Sequence, residues 1–104
     1  MKIKLTILSF VLAMAAPAAF AADAGALYSK SCASCHGADG KGQTKMGKQT
    51  KALDYTSADG QKWSDSAGID AILNGKGKMK GFASKGITKE DAAALVKKIR
   101  GFRG

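Results

Sequence analysis

The chain has 104 residues, which sets the expectation at a single domain. It carries 17 lysines and arginines against 8 acidic residues, for a formal net charge of +9, with 2 cysteines and 1 histidine. Two cysteines exclude a multi-disulfide scaffold, and the charge points to anionic partners. Nucleic acid fits poorly, because no basic helix interleaved with aromatic residues is present to read a strand.

Lys2 and Lys4 form a positive start, and Leu5–Phe20 is almost wholly apolar, broken by Thr6, Ser9 and Pro17. Ala19-Phe20-Ala21 then puts small residues where a signal peptidase reads. The pattern predicts a secretory signal over residues 1–21, cut after Ala21, and a mature domain over 22–104. A retained membrane anchor is the competing reading, since the run is nearly long enough to span a bilayer. The alanines, the proline and the Ala-x-Ala ending favour removal. No acidic residue falls in that leader, and only two basic ones do, so the mature domain stays strongly positive. Export also argues against a nucleic-acid partner. A domain this short buries a thin core and needs a staple, such as a metal or a large cofactor. A disulfide closing only Cys32 to Cys35 would constrain almost nothing.

The first helix is predicted over about Ala24–Cys35, with Asp23 as N-cap and Leu27, Tyr28, Ser31, Cys32 and Cys35 on one side. Gly37 and Gly40 end it. Gly37–Gln61 reads as a long loop whose apolar anchors are Met46, Leu53 and Tyr55, and such a loop needs something to wrap around. Ser64 or Asp65 caps a short helix ending near Asn74-Gly75, with Ile69, Ile72 and Leu73 inward. The stretch NGKGKMKGF, Asn74–Phe82, favours no regular structure. Thr88 and Asp91 form a capping box for the last helix, where Ala92, Leu95, Val96, Ile99 and Phe102 follow at helical spacing. Lys97, Lys98 and Arg100 complement its negative end. No alternating strand pattern of useful length appears, so the class is all-α.

The motif Cys32-Ala33-Ser34-Cys35-His36 has three readings. A thioredoxin-like dithiol needs a strand-to-helix turn inside a βαβ unit, and no strand is visible before Cys32. A structural zinc site needs four ligands, normally two spaced pairs, and His36 is the sole histidine. The third reading is covalent haem attachment, in which both thiols of one helical turn add to vinyl groups and the next residue places an imidazole under the iron. Export and the missing alternatives select it. The haem then supplies the missing core, and the apoprotein is expected to be largely unfolded. Of the two methionines outside the leader, Met79 sits among glycines and lysines with no apolar neighbours. That setting suits ligation better than core filling, so Met79 is read as the second axial ligand and Met46 as loop packing. Trp63 either donates its indole hydrogen to a haem propionate or sits as a core aromatic with its polar edge at the surface.

The chain resembles the small bacterial monohaem class I cytochromes c over essentially all of Ala22–Gly104. The resemblance rests on Tyr28 four residues before Cys32, on CASCHG near the mature amino end, on a helix followed by NGKGKMKGF, and on a final helix ending in Phe102. It implies three to four helices wrapped around one covalent haem c, thioethers at Cys32 and Cys35, and iron ligation by His36 and Met79. It also implies that the first and last helices cross near Tyr28 and Phe102, and that Phe82 lies against the haem. Two departures stand out. Lys80 follows the methionine where the family commonly has proline, and the mature chain has no proline to accept the proximal imidazole's hydrogen.

The function expected is one-electron transfer rather than enzymatic turnover, because iron held by two protein ligands has no open site. A methionine ligand raises the potential relative to two histidines. Lys76, Lys78 and Lys80 are read as a docking patch for acidic redox partners in a small transient interface. The expectation is a monomeric periplasmic carrier with no stable membrane insertion once the signal is removed. The alternatives are a haem subunit of a larger redox enzyme complex, and a five-coordinate haem sensor or peroxidase. The early position of CASCH argues against the four-helix cytochromes, which carry that motif near the carboxyl end.

Overall fold

The computed structural model describes residues 23–104, so the expected leader at 1–21 lies outside the described residues. The described chain is mainly helical, as expected. Its elements are α1 (Ala24–Ser31), α2 (Ala33–His36), α3 (Lys45–Thr50), α4 (Asp65–Asn74), β1 (Gly75–Lys76), β2 (Met79–Lys80) and α5 (Lys89–Arg100). Single turns of 3-10 helix sit at Asp59–Gln61 and Ala83–Lys85.

Three local expectations change. The single first helix is broken at Cys32, whose φ of −117° leaves helical geometry and separates α1 from α2. The Cys32 amide still bonds the Tyr28 carbonyl, and the His36 amide the Cys32 carbonyl, so the bend loses little hydrogen bonding. The stretch 37–61 is not a bare loop, because Thr44 caps α3 by accepting from the Gly47 amide. NGKGKMKGF also holds regular structure, a small antiparallel hairpin pairing Gly75 with Lys80 and Lys76 with Met79.

The remaining elements follow their sequence signals. Asp23 caps α1 by accepting from the Gly25 amide, and Ser64 caps α4 by accepting from the Ala67 amide. At α5 the box closes in both directions: the Asp91 amide donates to Thr88 Oγ1, and the Thr88 amide to Asp91 Oδ2.

The amphipathic face of α5 packs on α1 and α4. Ala92, Leu95, Val96 and Ile99 are buried there with Tyr28 and Ile72. The first and last helices meet where Tyr28 and Phe102 place their ring centroids 5.1 Å apart. The Tyr28 hydroxyl donates to the Gly37 carbonyl at 2.7 Å, which ties this crossing to the end of α2. Gly40 lets the chain pass beneath: its φ is +74°, and a Cβ there would sit 2.7 Å from the Phe102 ring.

Arg100 fastens the end of α5 to the segment before α4. Its guanidinium donates to the Gln61 carbonyl (2.8 Å), the Trp63 carbonyl (2.6 Å) and the Asp65 carboxylate (2.9 Å). It also lies 3.8 Å from the centroid of the Trp63 ring. Trp63 is thereby held against the interior that the helices leave between them.

Candidate functional site

That interior is a cavity of 990 Å³, lined by Cys32, Cys35, His36 and Met79 together with apolar groups such as Ile72 and Phe82. The four residues singled out from sequence therefore face one space, although they come from distant parts of the chain. The cysteines and histidine arrive on the kinked turn of α2, and Met79 on β2. Phe82 stands at the same cavity. Met46 also borders it, but 48% exposed, near the mouth.

Cys32 is buried and Cys35 is half-buried, and neither forms a disulfide. Burial, helped by the neighbouring Cys35, pushes the Cys32 thiol up to about 11. The other two readings of the motif find no support. Among the described residues no strand precedes Cys32, and no three His, Cys, Asp or Glu side chains gather as a metal site.

His36 is 8% exposed, and burial holds its imidazole below the usual histidine range, against a smaller opposing effect of its bond to Leu53. Its Nδ1 lies 3.2 Å from the Leu53 carbonyl. A carbonyl only accepts, so this bond assigns the hydrogen to Nδ1 and leaves the lone pair on Nε2. Leu53 thus supplies the acceptor that residues 22–104, which contain no proline, had to find elsewhere. It was read from sequence only as an apolar anchor, and a backbone acceptor carries no sequence signal.

Tyr55 was missed in the same way. Its ring is stacked on the imidazole with centroids 4.4 Å apart and planes 19° apart, and its hydroxyl is 3.2 Å from Nε2. A hydroxyl approaching along the in-plane lone pair would hold two parallel rings much farther apart. The contact therefore reaches the face of the imidazole, and the lone pair of Nε2 is directed elsewhere. Trp63 lines the cavity too, but its indole hydrogen is donated to the Gly60 carbonyl at 2.6 Å. The indole hydrogen is thus already held by the main chain of the segment before α4.

The mouth is strongly positive. Lys30, Lys51, Lys76, Lys78, Lys80 and Lys85 border it against one carboxylate, Asp91. Lys78 reaches across, with Nζ 3.5 Å from the Gln49 carbonyl.

Two free thiols on one turn, an imidazole with a fixed tautomer, a thioether and apolar walls fit a haem in chemistry, and the cavity fits it in size. The fold and this site define a small monohaem c-type cytochrome. The family model described as cytochrome c oxidase, cbb3-type, subunit III, matches residues 19–97, and the chain belongs to this family of cytochrome c domains. Among solved structures it is similar to the KustC0563 c-type cytochrome, at 36% identity and a TM-score of 0.73, covering 80% of this chain and 100% of that one. A tyrosine-to-phenylalanine mutant of Kustc0563 gives 36% identity and a TM-score of 0.70, covering 79% and 100%. Comparison with curated proteins gives no match. The protein carries covalently bound haem c, and its role is electron transfer, the general activity of the family. Among the described residues no helix is long and apolar enough to cross a membrane.

Proposed function

We propose that the protein is a periplasmic, monomeric one-electron carrier in which Cys32 and Cys35 form the thioethers and His36 and Met79 are the axial ligands. The observation that carries this reading is the convergence of those four side chains on one lysine-rimmed cavity. When bound, the haem supplies one-electron exchange between ferrous and ferric iron. The thiols tether it, the Leu53 carbonyl and the Tyr55 ring orient the imidazole, and the hairpin presents the thioether of Met79 to the same cavity. Apolar walls exclude water and, with a thioether ligand, favour the reduced state. The lysines of the mouth, with Lys76, Lys78 and Lys80 on the hairpin, attract acidic redox partners to the point of electron exit. The leader pattern of residues 1–21 supports export to the periplasm.

The visible spectrum of the oxidised holoprotein tests the ligand set. A weak sulfur-to-iron charge-transfer band is expected in the unmodified protein and in Met46→Ala, and is lost in Met79→Ala. Its survival in Met79→Ala would falsify the assignment. Strong carbon monoxide binding by the native reduced form would instead favour the five-coordinate sensor.

A second reading is a dedicated haem subunit of a larger redox complex. The description of the matching family model, an oxidase subunit, favours it. Co-purification with other subunits at high salt is the outcome that reading requires, whereas a carrier leaves its partners as salt screens the lysines.

A further inference from the structure

We infer that Thr44 is a positioning residue for the proximal histidine, acting through both ends of the support that holds His36. The inference rests on the reading of His36 as an iron ligand. It begins with two carbonyls in the last turn of α2. The Ala33 carbonyl accepts from the Gly37 amide and the His36 carbonyl from the Gly42 amide, both at 2.8 Å, but the Ser34 and Cys35 carbonyls between them receive no backbone hydrogen. Helix ends leave such acceptors open, and something must cover them when they are shielded from water. Here it is one side chain, since Thr44 Oγ1 lies 2.8 Å from the Ser34 carbonyl and 2.7 Å from the Cys35 carbonyl. Ser34 is exposed and water can serve it, so the single hydroxyl hydrogen of Thr44 is assigned to the partly buried Cys35 carbonyl, the shorter contact.

The same oxygen accepts from the Gly47 amide at 2.9 Å, so one hydroxyl ends α2 and starts α3. The two helices meet closely at this point, because a Cβ at Gly47 would collide with the Cys35 and Gly42 carbonyls. At its far end α3 turns through Lys51, whose φ is +56°, with the Ala52 amide bonded to the Gly47 carbonyl at 2.9 Å. The chain then delivers the Leu53 carbonyl to His36 Nδ1. Thr44 therefore grips the backbone one residue before His36, and α3 carries that grip to the acceptor on the imidazole ring. An outer acceptor of this kind sets both the orientation and the basicity of a ligating imidazole. Loss of the hydroxyl lets α3 shift against α2, so the Leu53 carbonyl moves relative to Nδ1.

The test compares Thr44→Val, which keeps the shape and removes the hydroxyl, with Thr44→Ser, which restores it. Both are made as holoprotein, with Thr88→Val as a control that removes the cap of α5 far from this clamp. The readouts are the midpoint potential and the hyperfine-shifted proton resonances of the His36 ring and the haem methyls. Thr44→Val is expected to shift both, Thr44→Ser to return them to the unmodified values, and Thr88→Val to lower stability while moving neither. Unmodified potential and resonances in Thr44→Val would overturn the inference, as would equal shifts in Thr88→Val. Should Thr44→Val fail to accumulate with haem, the hydroxyl proton of Thr44 is followed in the unmodified holoprotein. Slow exchange and cross-relaxation with the Gly47 amide are expected, and fast exchange with water overturns the clamp. The histidine assignment stands or falls separately, on the His36 resonances of the unmodified protein.

Discussion

The Nδ1 of His36 and the main-chain carbonyl of Leu53 lie 3.2 Å apart, joining the end of α2 to a residue on the far side of α3. The bond settles which imidazole nitrogen keeps its lone pair. It also makes the imidazole's orientation depend on how the chain around Leu53 is held. Three contacts hold it: the Tyr55 amide donates to the Gly40 carbonyl at 2.7 Å, Ser57 Oγ donates to the Asp54 carbonyl at 2.7 Å, and the Asp54 carboxylate accepts from Thr56.

The carboxylate of Asp54 gives this turn a pH dependence. Its bond from the Thr56 hydroxyl, followed by that from the Thr56 amide, holds it below the ordinary value of 3.8. A carboxyl depressed in the folded state contributes stability above its unfolded value and loses it as pH falls through the folded one. Asp54→Asn is expected to be less stable than the unmodified holoprotein at pH 7 and to differ less from it near pH 3. Denaturant melts at the two pH values read this directly. A difference that stays constant with pH would assign the loss to packing instead of charge.

Arg100 is expected to tolerate no lysine. A lysine can neither lie flat on Trp63 nor serve Gln61, Trp63 and Asp65 at once. Arg100→Lys should cost about 2 kcal/mol, the scale of a few charge-assisted bonds and a half-shielded cation–π contact. Thermal unfolding of the holoprotein measures it, and a change in melting temperature near zero would show that the latch is ornamental.

Without the covalent cofactor the described domain has too little core. A cavity of 990 Å³ sits where other small domains place side chains. The Cys32→Ala, Cys35→Ala variant is expected to be largely unfolded by circular dichroism. Native helicity in that variant would mean that α1, α4 and α5 are self-sufficient.

Reversing charge at Lys76, Lys78 and Lys80 together is expected to slow reduction or oxidation by an acidic partner by at least about tenfold at low salt, the lower end of electrostatic steering. The salt dependence of the rate should flatten or invert. The potential of the isolated protein provides the comparison, since the effect lies in encounter. Rates and salt slopes equal to the unmodified protein would leave the lysines as a solvated surface.

Much of this architecture was legible because it is written in side chains. Thr88 and Asp91 announce the start of α5, the three- and four-residue rhythm from Ala92 to Phe102 gives its buried face, and Met79 stands out among glycines and lysines. The parts not read lie in the backbone. The bend at Cys32 keeps the same side-chain spacing as a straight helix, so periodicity is blind to it. The segment Lys45–Thr50 has one apolar residue and a glycine, and its only signal was Thr44 as a cap. Its helix exists because Gly47 fits against the Cys35 carbonyl, a tertiary reason. The hairpin was hidden because its pairing involves two residues on each side, too few for alternation. Leu53 acts through its carbonyl and Tyr55 through its ring face, and neither role leaves a trace in residue type.

The contact between Tyr28 and Phe102 has a mechanical meaning. Tyr28 lies on α1 and Phe102 just past the end of α5, so tension applied at the two ends of the described chain loads their contact once the Gly104 amide has left the Thr56 carbonyl. α1 and α5 would then part, stripping Phe102 from the Tyr28 ring whose hydroxyl holds Gly37. The segment bearing CASCH lies directly behind that hold, so the fastening that guards the molecule against pulling is also the one nearest its redox centre.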